Sequence, residues 1–162
     1  MLLLRYVALL ALVVWVGGLV ALGAIAAPAT FDVMSARQIP DGRLLAGAVF
    51  GEILRRFFLA SYGAAAVIFL SLTLRRILGP KPRHFGWRAG ILILMTGAAL
   101  YAGVVVAGRI AALQASMKVA PSSLPESDPR RVEFGRLHGV STGLQLLPLL
   151  GGLALIFWEL RE

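Results

Sequence analysis

A chain of 162 residues that is 59% hydrophobic, only 15% charged and of mean hydropathy +0.83 is too apolar for a water-soluble globular domain, and is expected to form one membrane domain over residues 1–162. Its net charge of +8, from 16 Lys and Arg against eight acids, gathers beside the apolar segments. The lipid bilayer and its anionic headgroups are therefore the expected partners, and nucleic acid is not. The lack of cysteine excludes disulfides, thiolate metal sites and cysteine redox chemistry.

Four apolar segments mark candidate spans near residues 6–27, 57–74, 87–108 and 137–158. Each approaches the roughly 20 residues that a helix needs to cross a ~30 Å hydrocarbon core, and a helix satisfies its own backbone groups there. The fold class expected is all-α, an integral membrane four-helix bundle. Arg5 followed by the first apolar run, with small residues at Ala24-Ile25-Ala26-Ala27, also fits a signal peptide. The run exceeds the roughly 7–15 residues of a signal's apolar region, so a retained first span is expected. Ala27-Pro28 is expected to end that span, because proline cannot donate the helical hydrogen bond.

A connector follows, with Ile39-Pro40-Asp41-Gly42 as its turn signal. From Leu44 to Arg56 apolar residues alternate with Glu52, Arg55 and Arg56, which reads as an amphipathic extension preceding the second span. Helix two should stop at Leu78, ahead of the stiff link Gly79-Pro80-Lys81-Pro82. Helix three should start near Trp87 and run past the membrane to Met117 or Lys118. Pro121, Pro125 and Pro129 mark an exposed loop, and Trp158, Glu159, Arg161 and Glu162 close helix four at the interface.

Four spans put both termini on one side. Counting Lys and Arg alone, that side holds seven of the 16 and the opposite side nine. The link between helices two and three packs Arg75, Arg76, Lys81, Arg83 and Arg88 together without an acid, and on that ground a multi-pass cell-membrane protein with cytoplasmic termini is expected.

Helix four carries the most informative pattern. At 100° per residue, Phe134, His138, Ser141 and Gln145 share one face, and Gly135, Gly139 and Gly143 form an adjacent ridge. Polar side chains in a span should face other helices. Alternating topology brings the His138 end of this stripe level with Asp32, Glu52, Arg55, Arg56, Arg109 and Arg136. The ligand-binding candidates are His138, Ser141, Gln145, Arg109 and Glu52. The structural alternatives are that Glu52 pairs with Arg55 or Arg56 at helical spacing, and that Ser141 and Gln145 cross-link helices. Small-residue ridges at Gly47-xxx-Gly51, Ala99-xxx-Gly103-xxx-Ala107 and Gly135-xxx-Gly139-xxx-Gly143 are expected inside a tight bundle. No catalytic residues are expected: no paired carboxylates show catalytic spacing, and Gly17-Gly18 lies in an apolar span where a phosphate loop cannot form.

Three motifs carry a resemblance: Trp15-Val-Gly17-Gly18 leading to Ala27-Pro28-x-x-Phe31, Ala46-Gly47-Ala48-Val49-Phe50-Gly51, and Phe134-x-x-Leu137-His138-x-x-Ser141-x-x-Leu144. With them the chain resembles a family of small four-span membrane proteins of unknown function, which has bacterial members and includes a eukaryotic transmembrane protein associated with cisplatin resistance. The resemblance implies the four-span fold and a retained first helix, and it implies no reaction. A more distant likeness, to copper-resistance D membrane domains and four-helix membrane haem proteins, would make His138 a metal ligand for copper or haem. The only other histidine, His84, falls in the opposite loop, so no cofactor is expected from the residues themselves. The leading functional expectation is an integral membrane protein, without enzymatic activity, that binds a small ligand, ion or lipid headgroup at the polar cluster. The second is an accessory or structural subunit with a membrane-protein partner, and the third a haem- or metal-linked redox protein.

Overall fold

The computed structural model describes residues 2–37, 41–79, 82–117 and 119–161. Four helices are long and apolar enough to cross a membrane: α1 (Leu2–Ala36), α2 (Gly42–Leu78), α3 (Phe85–Ala115) and α4 (Pro129–Leu160). No strand occurs among the described residues. The chain is an all-α integral membrane four-helix bundle. Ile39, Pro40, Pro80, Lys81 and Lys118, on which parts of the expected turns and the end of helix three fall, lie outside the described residues.

The helices hold 35, 37, 31 and 32 residues, respectively. At 1.5 Å per residue each is roughly 46–56 Å long, well beyond a ~30 Å hydrocarbon core. The amphipathic stretch before the second span is one continuous helix with it, since no Gly or Pro pair breaks the pattern between Leu44 and Leu78.

The first helix corrects the expectation placed on Pro28. Instead of ending there, α1 widens into a π-helical turn over Leu22–Ala26 and continues to Ala36. Ala27 N–H donates to Leu22 O, five residues back. The proline that lacks a donor thus follows directly on a stretch where the hydrogen-bond register has already shifted, and the helix passes through it. A second π-helical turn occupies Tyr101–Val106 in α3. Two residues before it, the Tyr62 hydroxyl of α2 donates to Ala99 O at 3.3 Å.

The core joins all four helices through Leu12, Trp15 and Leu19 of α1, Ala64, Ala65 and Ile68 of α2, Leu92, Met95 and Ala99 of α3, and Leu155 of α4. Lipid tails are as apolar as these side chains, so packing contacts rather than escape from water hold the helices together. Close approach depends on a few positions without a side chain. A Cβ on Gly18 would overlap the Phe57 ring, one on Gly152 would overlap Val16, and one on Gly103 would overlap Phe58 and the Tyr62 hydroxyl. The glycine ridge expected inside the bundle on α4 is not used there: a Cβ on Gly135, Gly139 or Gly143 would meet nothing within 4 Å. Helix four makes its close contacts more than two turns deeper, at Gly151 and Gly152.

Asp128 caps α4, accepting the Arg130 backbone N–H at 2.8 Å, with Pro129 in the first helical position, where a missing donor costs nothing. Arg43 of α2 donates to Ser122 Oγ at 3.2 Å, and Arg131 of α4 donates to Leu124 O at 2.7 Å, which holds the proline loop against the helix ends.

Candidate functional site

At the end of the bundle that carries the termini, one carboxylate gathers an arginine from each of the other three helices. Arg75 Nη1 of α2 donates to both oxygens of Glu159, at 2.8 and 2.9 Å, and Arg88 Nη1 of α3 donates to Oε1 at 2.9 Å. Arg5 of α1 donates to the Glu159 backbone carbonyl at 2.6 Å, with its Nε 3.7 Å from Oε2. The side chains of Arg75, Arg88 and Glu159 are 6%, 3% and 10% exposed. Burial this deep in apolar surroundings is tolerable only because the charges meet one another. In the sequence these residues read as interfacial basic groups and a helix end. The available signal was Glu159 itself, the last-turn acid of α4 in a region otherwise crowded with Arg.

This knot sets the depth scale. Twenty residues, or about 30 Å of helix, carry α1 from Arg5 to Ile25, α2 from Arg75 to Arg55, α3 from Arg88 to Gly108 and α4 from Glu159 to Gly139. Three of these endpoints are or adjoin Arg55, Arg109 and His138, so the charged belt expected from the sequence marks the other edge of the hydrocarbon. Beyond it the helices continue, α2 by some 13 residues, or about 20 Å.

At this second edge α2 and α3 stand apart. Between them runs a groove of about 670 Å³, within the size range of ligand sites. Its outer part is lined by Leu44, Gly47, Ala48, Gly51, Glu52 and Arg55 of α2 and by Ile110, Ala111 and Gln114 of α3; its inner part by Gly103, Val104 and Ala107 of α3 and Ser141 of α4. Small residues line both walls and leave the space unfilled. Ala48, Gly51, Val104, Gly108 and Ala111 are exposed, so the groove opens sideways, toward lipid at its inner end.

The expected site residues divide around this groove. Glu52 and Ser141 line it. Glu52 accepts from Arg55 Nε and Nη2 at 2.7 and 2.8 Å and from Arg56 Nε at 2.8 Å, the helical-spacing pairing recognised as the structural alternative. Ser141 is 5% exposed and accepts a long hydrogen bond, 3.4 Å, from Gln145 Nε2. Ser61, Thr96 and Thr142 each donate to the carbonyl four residues back, whereas the Ser141 hydroxyl donates to no described acceptor. Arg109 and His138 are exposed and do not line the groove. Arg109 makes no hydrogen bond to a described residue and interacts with the Glu133 carboxylate only through space, and the His138 ring stacks on Phe134 with centroids 6.1 Å apart. Glu52, Arg109 and His138 thus share a depth without sharing a cavity.

Among the described residues no group of three or more His, Asp or Glu side chains is placed to hold a metal ion. His84 is at the other end of the bundle, stacked on Trp158 at 6.0 Å.

Electrostatics outside the spans are local. The Arg130 side chain, aided by its own backbone N–H, holds the Asp128 carboxyl down at about 2, so the α4 cap is charged at any physiological pH.

Comparison with known proteins gives a family and no reaction. No curated protein and no solved structure matches the chain. A family described as a domain of unknown function matches residues 10–119, from α1 through α3 and including both long walls of the groove but not α4. The match carries neither the cisplatin-resistance link nor the copper-resistance D likeness. Over two thirds of its length, from the first span to the end of the third, this four-helix membrane protein belongs to the family Domain of unknown function (DUF4149).

Proposed function

We propose that this protein is a membrane-embedded binding protein, without catalytic activity of its own, that takes an amphipathic ligand from the bilayer into the groove between α2 and α3. The observation that carries the reading is the polarity gradient along that groove. Its inner end, at Gly103, Val104 and Ala107, is apolar and lies at hydrocarbon depth. Its outer end, at Glu52, Arg55 and Gln114, is polar and lies at headgroup depth. A ligand with an apolar tail and a polar head satisfies both ends at once, whereas a small ion satisfies only one. The lateral opening supplies an entry path from the membrane.

We further place the protein in the cell membrane with cytoplasmic termini. The support is the run of Arg75, Arg76, Lys81, Arg83 and Arg88 around the α2–α3 link.

The test uses variants that fill the groove without clashing. A Cβ on Gly51 or Gly108 would meet nothing within 4 Å, so Gly51→Leu and Gly108→Leu occupy the groove while leaving the packing intact. The wild-type protein, extracted in mild detergent and weighed intact by native mass spectrometry, should retain a lipid that the double variant has lost. Equal lipid retention by both would contradict the reading. A stoichiometric protein partner co-purifying with a lipid-free chain would instead support an accessory subunit.

A further inference from the structure

We infer that the ligand is a glycerophospholipid bound with its headgroup away from the termini, its phosphodiester on Arg55 of the groove wall and on Arg56, which stands outside the lining but shares Glu52 with Arg55, and an acyl-ester carbonyl on the Ser141 hydroxyl. The inference rests on the groove reading and specifies its ligand.

Three features converge on that chemistry. The first is charge. Glu52 stands between two guanidiniums, so the triad keeps one positive charge, which a phosphodiester monoanion balances. The second is donor geometry. Glu52 takes Nε and Nη2 of Arg55 and only Nε of Arg56, leaving Arg55 Nη1 and both terminal nitrogens of Arg56 without an acceptor among the described residues. Planar guanidinium forks match phosphate oxygens better than any other side-chain donor does. The third is depth. Ser141 lies two residues inward of Gly139, the α4 residue level with Arg55, hence about 3 Å toward the membrane centre. The first ester carbonyl of a glycerolipid sits just inside its phosphate. An ester oxygen there receives the hydrogen that Ser141, nine-tenths buried and lining the groove, gives to no described acceptor. A free fatty acid or a sterol offers the charge or the tail but not both the phosphate and the carbonyl at this spacing.

The experiment uses delipidated full-length protein with four probes: palmitoyl-oleoyl phosphatidylglycerol, dioleoylglycerol, oleate and inorganic phosphate, each read by native mass spectrometry. Phosphatidylglycerol should bind at least about tenfold more tightly than dioleoylglycerol, the factor expected for a charge-assisted hydrogen bond. Arg55→Gln with Arg56→Gln should remove that advantage, and Ser141→Ala should weaken both glycerolipids. Glu52→Gln leaves both arginines unbalanced and should strengthen phosphatidylglycerol binding. The ion pairs it breaks are exposed ones that contribute little to stability, so the variant is expected to fold. Equal binding of phosphatidylglycerol, dioleoylglycerol and oleate, all abolished by Gly51→Leu with Gly108→Leu, would overturn the headgroup assignment and leave the groove standing. Competition by inorganic phosphate with no dependence on the groove fillers would overturn both, as would a lipid-free dimer whose second copy fills the groove.

Discussion

Replacing Glu159 by glutamine removes the negative charge on which Arg5, Arg75 and Arg88 converge while keeping nearly the same shape. The cost follows from burial. Arg75 and Arg88 are almost fully enclosed among Leu12, Ile68, Leu72, Leu92 and Leu155, so they cannot recover in water what they lose at Glu159. Breaking a buried pair by neutralising one partner typically costs about 3–5 kcal/mol. Arg5, more exposed and held mainly by the Glu159 backbone carbonyl, adds little. Glutamine keeps one carbonyl acceptor, and Arg75 and Arg88 make interactions besides Glu159, so the lower end, about 3 kcal/mol, is expected. Glu52→Gln is the matched control. It also breaks two arginine pairs, but exposed ones on a single helix, which solvent screens, so its loss should be far smaller. Reversible unfolding of both variants in mixed micelles, followed by circular dichroism, measures the difference. A Glu159→Gln protein no less stable than Glu52→Gln would show that the knot does not tie the four helices together.

Two further predictions concern packing and the α4 cap. Gly152→Leu forces a side chain into Val16 and should cost about 1–3 kcal/mol, whereas Gly139→Leu, on the open face of the same helix, should cost less than about 0.5 kcal/mol; equal thermal shifts would contradict the assigned packing. The Asp128 carboxyl should titrate near 2 instead of its usual 3.8. Because its folded value is the lower one, the cap contributes fully above about pH 4 and is lost as the pH falls through about 2, and a carboxyl resonance titrating at the ordinary value would refute the cap.

Hydropathy and the proline-marked links were enough to read four spans in the sequence, because membrane thickness sets a length that composition reveals directly. The helix ends were less legible. Pro28 would normally stop a helix, and nothing in the neighbouring residues announces the π-helical turn that lets α1 pass through it. The helix-four stripe was legible as a pattern, but its rotation was not. Ser141 faces the groove and Gln145 donates to its hydroxyl from outside the lining, yet His138 and the Gly135-Gly139-Gly143 ridge turn outward, because the contacts that orient α4 are made deeper, at Gly151 and Gly152. The Glu159 knot is illegible in the sequence for a related reason. Its four members come from four helices, and only the antiparallel arrangement places them at one depth. The groove was hidden as well: a space between helices is made of residues too small to fill it, and Gly51 and Gly108, which leave it open, look the same in sequence as Gly18 and Gly103, which bring helices together.

The central claim, that α2 and α3 stand apart to hold a lipid, is tested most directly by the density between them in a structure determined in phospholipid nanodiscs. The account predicts an elongated feature running from Arg55 past Ser141 to Gly103, with its broad end at the arginines, and its loss in the Gly51→Leu, Gly108→Leu double variant. Helices α2 and α3 closed against each other, or a protein helix seated between them, would contradict it.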